Sequence, residues 1–125
     1  LPHLKGKLDG TSMRVPVPVG SVVDLVVNLK KAVTVESINQ AVEAAAKSKG
    51  FKGIIEYSTA ELVSSDVMKN PHSTVFDSLS TMVIGENVAK VIAWYDNEWG
   101  YSSRVVDLIK FAHGLKAPRA PKAGA

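Results

Sequence analysis

The chain has 125 residues, 46% of them apolar and 22% charged, with a net charge of +3. That length suits one domain with a true core, and that composition excludes a disordered or fibrous chain. It contains no cysteine, which excludes disulfides, zinc thiolates and a thiol nucleophile on this chain.

No apolar run approaches the roughly 20 residues of a membrane span. The first residues carry no cationic-then-apolar pattern, and with the missing cysteine this makes a cytoplasmic chain the expectation. The charge is uneven. Lys116, Arg119 and Lys122 account for all of the +3, so residues 1–115 are neutral overall. Nucleic-acid binding is not expected, because it needs a basic face on the fold rather than a basic tail.

In chain order, Leu1 to Gly10 reads as a polar loop. Met13 to Val19 holds Pro16 and Pro18, which predicts an edge or irregular extended segment. Val22 to Leu29 alternates as a strand with Val23, Leu25, Val27 and Leu29 on an apolar face, which predicts antiparallel pairing over a core. Thr34 to Lys49 predicts a helix. Its stripe is Val35, Ile38, Val42 and Ala45, Thr34 is its cap, and Gly50 is its left-handed stop. Glu36 favours its positive end. A short strand follows at residues 53–57. Residues 58–74 are broken, with a turn at Asn70-Pro71 and a brief strand at 74–76. Thr81 to Ile84 and Val88 to Tyr95 predict a hairpin around Gly85 to Asn87. From Tyr101 the period becomes helical, with a stripe of Val105, Leu108, Ile109 and Ala112, and Gly114 ends the helix. These elements predict an α+β fold, a mainly antiparallel sheet with helices packed on one face. The tail at 116–125 is expected to be disordered.

By spacing alone no catalytic set is complete. His3, His72 and His113 fall in a loop, a turn and a helix end, where solvated or capping roles are expected. No HExxH pair, GxGxxG run or Walker loop occurs, so neither a metal site nor a phosphate fingerprint is supported. Arg14, in an extended segment before the rigid Val15-Pro16, could fork onto a carboxylate or phosphate, or form a surface or interface ion pair. Trp94 to Tyr101, WYDNEWGY, gathers half of the chain's aromatic residues where a strand feeds a turn and then a helix. Such a junction can form a pocket, and Asn97 can donate and accept at once. Asp96 and Glu98 fit caps there, and the two tryptophans fit core or interface anchors.

WYDNEWGYSSRVVDL, residues 94–108, resembles the C-terminal signature of phosphorylating glyceraldehyde-3-phosphate dehydrogenases. LPHLKGKLDGTSMRVPVPVGSVVDLVV at the start, FKGIIEY at 51–57, LVSSDV at 62–67 and PHSTVFD at 71–77 match that family's pattern in the same order. The likeness covers residues 1–112. It implies an upstream Rossmann domain for NAD, an upstream cysteine nucleophile and an upstream histidine base, so the chain is expected to open within a domain. No histidine of this chain matches the base's motif. Residues 1–115 correspond to the C-terminal part of the family's catalytic domain. Arg14 is similar to the arginine that grips the substrate C3 phosphate. Asn97 is similar to the asparagine that orients the nicotinamide carboxamide, Tyr101 to a tyrosine near that ring, and Glu98 lies beside them. Ser103 stands where asparagine is common, and Ser78-Leu79-Ser80 replaces a usual alanine-glycine stretch.

The chemistry so implied is oxidation of glyceraldehyde 3-phosphate by NAD with inorganic phosphate, through a cysteine thioester. On that division the present residues position rather than make bonds, and the isolated chain is expected to be inactive. The family resemblance also implies a homotetramer. Two alternatives stand beside it: a portion of an erythrose-4-phosphate dehydrogenase, which shares the scaffold, and a non-enzymatic truncated module acting through protein contacts.

Overall fold

The computed structural model describes residues 2–114; the tail at 116–125 lies outside the described residues. Four strands form one mixed sheet in the order β1-β4-β3-β2. They are β1 (Ser21–Asn28), β2 (Ile55–Ser58), β3 (Thr74–Ile84) and β4 (Val88–Tyr95). β4 pairs antiparallel with both β1 and β3, while β2 runs parallel to β3. The helices are α1 (Val35–Lys47) and α2 (Trp99–Gly114). The fold is therefore α+β with a mostly antiparallel sheet.

α1 forms where its period and its cap agree. Thr34 Oγ1 accepts from Ser37 N at 3.1 Å, and Ser37 Oγ accepts from Thr34 N at 2.9 Å. This reciprocal pair satisfies two amide donors that the first turn leaves free. The Glu36 carboxyl is held below its ordinary value, first by its own backbone amide and then by Thr34. The stop differs from expectation. Gly50 is not left-handed; the chain leaves α1 through extended Ser48, whose N–H reaches the Ala45 carbonyl, and the positive φ falls at Gly53.

β3 is the larger departure. The brief strand at 74–76 and the arm at 81–84 are one strand of 11 residues. Its register jumps from Asp77 opposite Ile92 to Met82 opposite Lys90, so residues 78–81 stand against Val91 alone. Serine and leucine at 78–80 hide the strand because the alternation breaks at that bulge. The bulge is held from α1. Asn39 Nδ2 donates to the Ser78 carbonyl at 3.0 Å, and its Oδ1 accepts from the Thr81 hydroxyl at 2.8 Å. Asp77 accepts from Ser80 N–H and Oγ–H and from Trp94 Nε1. Asp77, Ser78 and Thr81 are buried, so these bonds answer the cost of burying them.

The core is thin and centred on β3. Val67, Val75, Phe76 and Ala89 are its buried apolar side chains among the described residues. Neighbours Val75 and Phe76 point to opposite faces of the sheet and both are buried, so both faces are covered there. α1 packs against β2 and β3. The parallel crossover at 59–73 carries a 3-10 turn, Ser64–Val67, and Val67 is 1% exposed. Tyr57 stacks on its register partner Phe76 at 5.9 Å.

Two apolar faces are left uncovered, against expectation. On β1, Val22, Val23, Leu25 and Val26 are all exposed, so neither face of that strand lies on a core in this chain. On α2, every residue from Val105 to Gly114 is exposed, including the stripe that the period singles out. α1 packs on the sheet; α2 leaves its end. Amphipathic patterning records that a face is meant to be buried, not which surface buries it.

Candidate functional site

The end of β4, the turn after it and the first turns of α2 form a recess of about 240 Å³. Ser73, Tyr95, Asp96, Asn97, Gly100, Tyr101 and Arg104 line it. Asp96 organises the junction. Its Oδ1 accepts from Glu98 N at 2.9 Å and Trp99 N at 2.8 Å, and its Oδ2 accepts from Lys69 N at 2.8 Å. The carboxylate thus satisfies the open amides at the start of α2 and ties that start to the turn before β3. The Trp99 amide holds the Asp96 carboxyl below its ordinary value of 3.8; burial opposes this, and the Lys69 and Glu98 amides add to the lowering.

The same turn is seated a second time. A Cβ built on Gly100 would stand 2.9 Å from the His72 carbonyl oxygen, so only glycine lets the helix approach this closely. His72 is itself partnered rather than solvated. Its Nδ1 lies 2.8 Å from Asn70 Oδ1 and 3.0 Å from Glu56 Oε2, and Asn70 Nδ2 donates to that same Glu56 oxygen.

Asn97 and Tyr101 are brought together on the recess, and both side chains are exposed. Glu98 is exposed and adjacent in sequence but does not line it. Arg14 lies exposed on the irregular segment at 11–20, which bends at Pro16, Pro18 and Val19, outside the recess, and joins no ion pair among the described residues. Trp94 is half-buried, with its Nε1 on Asp77, whereas Trp99 is 49% exposed and is no core anchor here. The caps expected of the Asp96 and Glu98 pair belong to Asp96 alone.

Two lining residues, Arg104 and Ser73, were not singled out by sequence reasoning. Arg104 Nη1 donates to the Gly53 carbonyl at 3.0 Å and approaches Ser73 Oγ at 3.4 Å, and Nη2 pairs with Asp107 at 2.8 Å. Its helical spacing from Tyr101, three residues, was the available signal.

This α+β domain thus carries an open recess where strand β4 hands over to helix α2, with Asn97, Tyr101 and Arg104 among its lining residues. The model of the family described as "Glyceraldehyde 3-phosphate dehydrogenase, C-terminal domain" matches residues 1–97. The chain is 57% identical over 121 residues to glyceraldehyde-3-phosphate dehydrogenase 2 of Bacillus subtilis, covering 96% of this chain and 35% of that protein. It is 58% identical over 109 residues to the glyceraldehyde-3-phosphate dehydrogenase of Mycobacterium avium, covering 87% and 32%. For the Borreliella burgdorferi enzyme the identity is 57% over 109 residues, covering 86% and 32%. This chain belongs to the glyceraldehyde 3-phosphate dehydrogenase C-terminal domain family, and it spans about a third of the length of these relatives.

Proposed function

We propose that this chain is the C-terminal part of an NAD-dependent glyceraldehyde-3-phosphate dehydrogenase of glycolysis, converting the aldehyde and inorganic phosphate to 1,3-bisphosphoglycerate. One observation carries the reading: Asn97 and Tyr101 meet at one recess in a chain 57% identical to a protein of that name. The residues fit the nicotinamide end of the cofactor. Asn97 offers a carboxamide that can donate and accept toward another carboxamide. The recess is smaller than the roughly 300–1,000 Å³ of whole-ligand pockets, which suits one ring of a dinucleotide. NAD, when bound, supplies the hydride acceptor.

On this reading Asn97 orients the ring, Tyr101 and Glu98 flank it, and Arg14 grips the phosphate of glyceraldehyde 3-phosphate. Each holds a reactant in place, and none makes or breaks a bond. The uncovered residues of β1 and α2 support burial against other parts of the polypeptide and against further copies in a homotetramer. We place the complete enzyme in the cytoplasm; no helix among the described residues is long and apolar enough to cross a membrane.

The test uses the full-length polypeptide carrying this segment. It should form NADH from glyceraldehyde 3-phosphate, NAD and phosphate, and Asn97→Ala should raise the KM for NAD about 10-fold or more. An enzyme without that activity, or an Asn97→Ala enzyme with unchanged NAD affinity, would overturn the reading.

A further inference from the structure

We propose that Arg104 is a positioning residue for the nicotinamide end of the site, fastening α2 at a second point so that Asn97 and Tyr101 keep their places. The inference rests on the assignment of Asn97 above.

A helix held at one end can swing about that end; a second anchor fixes its axis. Asp96 is the first anchor, at the amide end of α2. Arg104 is the second, five residues beyond Trp99, or about 7.5 Å along the axis. Its guanidinium reaches the Gly53 carbonyl, on the turn leading into β2, and Ser73, just before β3. The third contact, Asp107 Oδ2, lies on the next turn of the same helix and orients the fork. Beyond Arg104 every described residue of α2 is exposed.

Arg104 lines the same recess as Asn97 and Tyr101. Tyr101 stands three residues before it on the same helix face. Arg104 Nε is buried and makes no hydrogen bond among the described residues. Its placement therefore leaves one of its own donors unsatisfied while the Nη groups tie α2 to the sheet end. A lysine carries the charge and three donors, but all on one nitrogen, so it lacks the spread of Nη1 and Nη2 that serves Gly53 and Asp107 at once.

The test separates nicotinamide positioning from general integrity. In the full-length enzyme, equilibrium titrations with NAD and with ADP-ribose, which lacks the nicotinamide ring, are compared across variants. Arg104→Met should weaken NAD about 10-fold and leave ADP-ribose within about two-fold. Arg104→Lys should recover only part of the NAD affinity. The KM for NAD should rise while kcat at saturating NAD changes little. Should Arg104→Met not fold, Ser73→Ala removes one acceptor and should weaken NAD alone, by about two- to three-fold. Equal weakening of NAD and ADP-ribose, or unchanged NAD affinity in folded variants, would overturn the proposal. Asn97→Ala run alongside tells the failures apart: if it leaves NAD binding intact, the underlying site assignment fails rather than the role of Arg104.

Discussion

Arg14 and Asp96 show two ways in which one residue matters. Arg14 is exposed on an irregular segment, so its proposed work is recognition. In the complete enzyme, Arg14→Ala or Arg14→Lys should lower kcat/KM for glyceraldehyde 3-phosphate about 10- to 100-fold, the worth of a charged hydrogen bond of roughly 1.5–3 kcal/mol. Unphosphorylated glyceraldehyde should be affected little, because it never uses the fork. Equal losses on both substrates would make Arg14 structural. Asp96 works by local architecture. Its carboxyl is held below 3.8 by amides that it serves only when folded. A group so depressed contributes stability above its unfolded value and loses that contribution as pH falls through its folded value. Asp96→Asn should therefore destabilise the enzyme by roughly 1.5–3 kcal/mol at neutral pH, and the gap should narrow below pH ~4. Melting midpoints of both proteins from pH 7 to pH 3 check this; a constant gap would show that the charge is not what matters.

Among the elements, α1 and the bulged β3 depend on one another. Among the described residues, Asn39 is the one side chain that bonds both the Ser78 carbonyl and the Thr81 hydroxyl. Asn39→Ala should leave both without that partner and cost about 1–3 kcal/mol in denaturant unfolding. Asn39→Asp keeps the acceptor for Thr81 and loses the donor to Ser78, so it should fall between. An Asn39→Ala protein as stable as its parent would mean that the bulge is held by Asp77 alone. The same pair explains what could be read in advance. The helix was legible because Thr34, its stripe and Lys47 speak through contacts within a few residues. The continuity of β3 was not, because its bulge is held by Asn39, about forty residues away in sequence.

On the scale of the whole molecule, the uncovered surface decides how the chain behaves. Val22, Val23, Leu25 and Val26 of β1 and Leu108, Ile109 and Phe111 of α2 are all at least 42% exposed. The 125-residue chain alone should bind a hydrophobic dye strongly and associate as its concentration rises. With no cysteine, it should form no NADH from aldehyde and NAD; turnover above background would demand another nucleophile. Scattering, dye fluorescence and a standard dehydrogenase assay on the purified chain check both. The α+β class, the β3–β4 hairpin and the WYDNEWGY junction were open to reading from residues alone, because period, turn chemistry and motif are local properties of the chain. The parallel seating of β2, the double anchoring of α2 by Asp96 and Arg104, and the exposure of two apolar faces belong to the tertiary structure. The first two join residues distant in sequence, the third concerns faces that no described residue covers, and a side chain's identity does not say which distant group will meet it.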